Sequence, residues 1–177
     1  MKQRDEIKKL TLAAMFLALS FVLPFFTGQI PQIGAMLCPM HIPVLLCGFF
    51  CGAPCGLIVG FVAPVLRSFT LGMPSMFPVA ICMAFELSTY GFVSGVLHNI
   101  LPNKKVFIYG ALLGAMVLGR VVWGLAMFAC MGFDTAKFGA ATFVSGAITT
   151  AIPGIILQIA LIPALVIAVE KVRNKNI

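Results

Sequence analysis

The sequence predicts an all-α membrane protein: a bundle of six transmembrane helices forming a single integral membrane domain, residues 1–177, with both termini cytoplasmic. Three observations carry this prediction. The 177-residue chain is 61% hydrophobic and only 10% charged, against about 25% charged in an ordinary soluble domain, and its mean hydropathy is +1.10. The apolar residues fall in long runs separated by short polar breaks. The basic residues gather at the ends of a subset of those runs. A soluble chain of this composition could not cover its surface with polar groups, so lipid is the expected solvent.

The first run, about 8–27, follows the basic segment MKQRDEIKK. It is read as a retained span, because no small-residue cleavage site follows it. The second, 36–53, holds His41 between Pro39 and Pro43 in MLCPMHIPVLL. A broken helix start is expected there, since irregular backbone at membrane depth is tolerated where it lines a cavity. Pro54, between Gly52 and Gly56, separates this run from the third, 55–70, because a proline there does not continue a helix. The fourth, fifth and sixth runs are 76–101, 105–131 and 142–170. Crossing a hydrocarbon core of about 30 Å takes about 20 helical residues, so the second and third runs are short. In LCGFFCGAPCGLIVG, glycines 48, 52, 56 and 60 read as close-packing positions around a turn. That turn could belong to a docking surface. Its cysteines read as small apolar fillers rather than metal ligands, since no His or acid lies nearby in the chain.

Charge fixes the expected orientation. Lys2, Arg4, Lys8 and Lys9 precede the first run, Lys104 and Lys105 lie between the fourth and fifth, and Lys171, Arg173 and Lys175 follow the sixth. With an even number of spans all nine fall on one side, the cytoplasm. The opposite side keeps only Lys137, beside Asp134. The net charge of +7 is therefore a topology signal, and no nucleic-acid partner is expected.

Arg67, Glu86 and Arg120 lie inside apolar runs. Such residues cost about 2.5–3.5 kcal/mol each at mid-membrane, so they face a partner, a bundle interior or a ligand. Helix rise places Glu86 and Arg120 at similar depths, about 15 Å from the outer ends of their spans, with Arg67 near the outer end of its own. Tyr90 lies four residues after Glu86 and Trp123 three after Arg120, each pair on one helix face. An arginine beside an aromatic ring suits an acidic or planar polar ligand. Glu86 and Arg120 could equally pair with each other and lock two helices together. His41, Arg67, Glu86, Tyr90, Arg120 and Trp123 are the candidate substrate-binding residues. The Met- and Pro-rich segment TLGMPSMFP, 70–78, suits a cap over an apolar pocket, and Thr149, Thr150 and Gln158 add uncharged polar groups.

No G-x-x-x-x-G-K-[ST], H-E-x-x-H or C-x-x-C occurs, and no second intramembrane acid accompanies Glu86. The chain thus has no P-loop for ATP hydrolysis, and neither an enzyme nor a metal or cofactor is expected. A small multi-span protein with a pocket and no motor reads as a solute-binding subunit energised by something else. Over its full length the chain resembles the substrate-binding (S) components of energy-coupling factor (ECF) transporters. The resemblance rests on the six spans, the basic N-terminus, the expected outer pocket and the pattern Ala14-Met15-Phe16-Leu17-Ala18 in the first span. It implies a prokaryotic cell membrane and a vitamin bound from outside. It also implies a transmembrane coupling subunit docked on the Ala14–Ala18 face, two ATPase subunits, and toppling of the S component to release substrate inward. MHIPVLLCGFFCGAP is similar to the second span of pantothenate-type S components, so pantothenate or another carboxylate-bearing vitamin is the first candidate. Folate, nicotinate and uncharged vitamins stay open. A stand-alone proton-coupled secondary transporter and a non-transport structural membrane protein are the alternatives.

Overall fold

Proline and glycine set most of the helix boundaries. In the computed structural model, which describes residues 2–27, 30–102 and 105–175, every regular element is helical. Helix α1, Lys2–Val22, tightens into a 3₁₀ turn, Leu23–Thr27, around Pro24. Helix α2, Pro31–Leu37, starts on a proline, whose missing N–H is no loss at that position. It ends at Cys38, which adopts a left-handed φ of 47°. After Pro39 and Met40, α3 runs His41–Cys51, and α4, Ala53–Leu71, follows after one residue. That residue, Gly52, has a φ of 91°, a conformation a side chain would strain. Residues 72–75 lead to a π-helical turn, Met76–Ala80, and to α5, Ile81–Ile100. Helix α6 is Lys105–Cys130, α7 is Ala140–Val144, and a second π-helical turn, Ser145–Thr149, precedes α8, Ile152–Lys175.

Among the described residues, five helical segments are long and apolar enough to cross a membrane: Glu6–Phe26, Ala53–Leu71, Met76–Ile100, Lys105–Cys130 and Ile152–Val169. Two expected spans differ from the sequence reading. The run 36–53 is not one helix. It is divided by the Cys38–Met40 break, and α3 has only 11 residues, because Pro39 and Pro43 remove N–H donors where a continuous helix needs them. The run 142–170 is likewise interrupted, at 145–151, just before Pro153.

Helix α5 is the centre of the bundle and packs on α3, α4 and α6, while α1 covers α3 and α4, and α8 covers α3 and α6. Small residues make this possible. A Cβ on Gly91 of α5 would overlap the Gly56 backbone of α4, and one on Gly48 of α3 would overlap the Gly91 carbonyl. The three helices therefore meet backbone to backbone. Ten of the eleven α3 residues are buried, while Pro54, Leu57 and Ile58 just beyond the turn are exposed. Cys47 and Cys51 pack with Ala13, Val44, Val59 and Leu87. A second core joins Leu45 and Phe49 to Leu112, Ile162 and Val166. Outward-facing Phe26, Phe69 and Val106 are more than three-quarters exposed, as suits side chains that lipid covers.

Lys8 and Lys9 of α1, Lys105 of α6 and Lys171 of α8 are exposed at the helix ends where the expected basic cluster lies. Lys104, counted in that cluster, lies outside the described residues. At the other end Lys137 and Asp134 form an exposed ion pair at 3.7 Å.

Candidate functional site

At the end of the bundle away from the chain termini, a cavity of about 660 Å³ opens between the helices, within the range typical of small-molecule sites. Its wall is assembled from separate parts of the chain. Pro24 comes from the turn after α1, Gly34 from α2, and Cys38 to His41 from the break before α3. Arg67 comes from α4, the segment Gly72 to Ser75 from the connection beyond it, Val79 from the π-helical turn, and Met83 and Glu86 from the start of α5. Arg120 and Trp123 come from α6, and Gly146 and Thr150 from the segment before α8.

The charged residues fall into two groups. Glu86 is 1% exposed and lies between two nitrogen donors. Arg120 Nη1 is 3.0 Å from its Oε1, and His41 Nε2 is 3.4 Å from the same oxygen. Arg120 also points Nη2 at Cys38 Sγ, 3.6 Å away, tying α6 to the break before α3. The ion contacts are close but not aligned as hydrogen bonds. Both His41 ring nitrogens, Glu86 Oε1 and Arg120 Nε are buried with no aligned partner among the described residues. Arg67 is separate. It is 3% exposed, donates from Nη1 to the Phe21 carbonyl at 2.7 Å, and lies 5.4 Å from the centre of the Phe25 ring. Among the described residues no carboxylate is paired with it.

Trp123 forms an aromatic wall. Its ring lies edge-on to Phe138 at 5.8 Å and stacks on Phe143 at 6.3 Å. Gly146 lies so close that a Cβ there would come within 2.8 Å of the indole. The Thr150 hydroxyl, on the same wall, donates to the Ser145 carbonyl at 3.0 Å.

Of the residues expected from the sequence, His41, Arg67, Glu86, Arg120 and Trp123 line this one cavity. Tyr90 does not. It is 1% exposed and lies against the His41 ring at 5.2 Å, off the cavity wall. The four-residue spacing from Glu86 gave its helix face but not its depth. Gln158 is buried in α8 and also lies off the wall. Part of the segment 70–78 does line the cavity, at Gly72 to Ser75. Sequence reasoning missed Pro24, Gly34, Cys38 and Met83. For Met83 a signal existed, because it lies three residues before Glu86 on the same helix face. Ala14 and Ala18 are both exposed along α1, away from the cavity.

No curated protein and no solved structure matches the chain. The family described as ECF transporter, substrate-specific component, matches residues 8–166, which include all or most of every helix and every residue of the cavity wall named above. An all-helical membrane chain with a charged cavity at one end, matched over nearly its whole length, therefore belongs to the family of substrate-specific components of ECF transporters.

Proposed function

We propose that this chain is the vitamin-binding subunit of an ECF complex and that the cavity is its substrate site. The observation that carries the reading is the convergence of Arg67, Glu86, Arg120, His41 and Trp123, from four helices, on one cavity of about 660 Å³. Charges this expensive in a membrane are retained for a purpose, and a mostly apolar pocket with a few converging polar groups is the usual form of a small-molecule site. The substrate is a vitamin bearing a carboxylate, with pantothenate the first candidate because of the His41-x-Pro43 segment. The basic helix ends argue for cytoplasmic termini in a prokaryotic plasma membrane, with α2, the break and α3 together serving as the sixth crossing and the cavity facing outward. The chain acts as a binding subunit rather than an enzyme. Two ATPase subunits supply the energy through a transmembrane coupling subunit, which docks on the Ala14–Ala18 face of α1.

The test is to purify the protein, release any bound small molecule and identify it by mass spectrometry, then measure its uptake into vesicles. Uptake only when the coupling and ATPase subunits and ATP are present supports the proposal. Uptake by this chain alone, driven by a proton gradient, replaces it with a stand-alone secondary transporter. Failure to bind any vitamin replaces it with a structural role.

A further inference from the structure

We infer that Arg67, not Arg120, receives the acidic group of the ligand, and that the cavity is charge-balanced for a monoanion. The inference rests on the reading of the cavity as the substrate site and adds which charge the ligand carries and where that charge goes.

The chain holds five acidic residues: Asp5, Glu6, Glu86, Asp134 and Glu170. Asp5 and Glu6 begin α1 and Glu170 lies near the end of α8, at the opposite end of the bundle from the cavity. Asp134 is paired with Lys137 in the loop after α6. Glu86 is the one acid on the cavity wall, and it is engaged by Arg120 at 3.0 Å and His41 at 3.4 Å. Two arginines and one glutamate leave the cavity one positive charge in excess when His41 is neutral, and the excess is on Arg67. Among the described residues no acid is paired with it.

A buried guanidinium with no counter-charge carries a large desolvation penalty, yet Arg67 is held firmly in place. The Phe21 carbonyl fixes one end of the guanidinium at 2.7 Å, and the Phe25 ring lies beside it at 5.4 Å. Of five N–H donors on a guanidinium, one is engaged by Phe21 among the described residues. The others suit the two oxygens of a carboxylate, which an arginine holds bidentately. With His41 neutral the Glu86–Arg120–His41 cluster carries no net charge, and its unaligned nitrogens and oxygen suit uncharged hydroxyl or amide groups. Val79, Met83 and Trp123 supply apolar wall for the remainder. The ligand class is thus a singly charged acid with neutral polar groups on an apolar frame. A dianion would leave one charge unbalanced, and a neutral ligand would leave Arg67 unbalanced.

Matched acid and neutral probes test this: pantothenate with panthenol, and nicotinate with nicotinamide, titrated calorimetrically into the purified full chain. The wild type is expected to bind the acid of at least one pair 100-fold or more tightly than its neutral partner. Arg67→Gln should weaken the acid at least 30-fold and change the neutral probe less than 3-fold. Arg120→Gln should weaken both members of a pair by similar factors. Arg67→Lys, which keeps the charge but not the fork, should retain part of the preference. Relieved of an unbalanced charge, ligand-free Arg67→Gln should unfold at no lower temperature than the wild type. Equal binding of acid and neutral probe by the wild type overturns the inference while leaving the substrate site in place. An acid preference that survives Arg67→Gln and vanishes in Arg120→Gln overturns it as well. Binding of none of the four probes counts against the site itself as a vitamin pocket, and the inference falls with it.

Discussion

Glu86→Gln removes the only carboxylate on the cavity wall among the described residues and leaves Arg120 beside an amide. At 3.0 Å the attraction lost is about 5 kcal/mol for an effective dielectric constant near 20. Breaking a buried pair by removing one partner costs about 3–5 kcal/mol, because the remaining charge stays desolvated. The Arg120 side chain is 16% exposed toward the cavity, so water relieves part of the penalty and the lower end, about 3 kcal/mol, is expected. For a chain of this length that is a fall in Tm of about 6–12 °C. Arg120→Gln strands Glu86, whose side chain is only 2% exposed, and should cost at least as much. The double variant Glu86→Gln/Arg120→Gln leaves neither charge stranded and should lie within about 1–2 kcal/mol of the wild type, giving a coupling of several kcal/mol. Ligand-free protein in detergent is heated, and unfolding is followed by the fluorescence of Trp123, the single tryptophan. If the losses of the two single variants add in the double to within about 0.5 kcal/mol, as for independent sites, the two residues are not a pair and the electrostatic account of the site is wrong.

Three further outcomes are expected. Gly91→Ala places a methyl on the Gly56 backbone and should cost about 1–3 kcal/mol or more by forcing α4 from α5, whereas Gly110→Ala, with nothing within 4 Å, should be neutral or stabilising by about 0.5–1 kcal/mol in thermal unfolding. Cys82 and Cys130, 48 residues apart with sulfurs at 3.7 Å, should cross-link under copper–phenanthroline in a variant whose other four cysteines are alanine; a 2 Da mass loss on oxidation reports the bond, and its absence would contradict the packing of α5 on α6. Ala14→Trp should abolish co-purification with the coupling subunit while leaving ligand affinity within about 2-fold, and assembly that survives the change would move the docking face elsewhere.

The cavity's charged residues were legible in the sequence because lipid makes them conspicuous: an arginine in an apolar run needs an explanation that a leucine does not. Their grouping was not legible. Helix-face arithmetic aligned Tyr90 with Glu86 and Trp123 with Arg120, yet only Trp123 reaches the wall, because a face says nothing of where the cavity floor lies. Pro39 and Pro43 announced the break before α3. The second interruption, at residues 145–151, had weaker signals in Gly146 and Pro153, and the apolar run across it masked them. The close contact of α3, α4 and α5 was foreshadowed by glycines 48, 56 and 60. Their partner Gly91 could not be paired with them from one sequence, since nothing local to residue 91 names the helix it will meet. That no carboxylate among the described residues is paired with Arg67 follows only once Glu86 is seen to be engaged by Arg120 and His41.

The brevity of α3 has a geometric consequence. Eleven residues reach about 16 Å at 1.5 Å per residue, about half of a 30 Å hydrocarbon core. The rest of that crossing is covered by the seven residues of α2 and by the Cys38–Met40 break. Four consecutive residues at the break, Cys38 to His41, lie on the cavity wall, whereas four consecutive residues of a regular helix point around almost a full turn. The break therefore turns one short stretch of chain wholly toward the cavity. A change that restored regular helix there would withdraw part of the lining without touching a wall residue on any other helix.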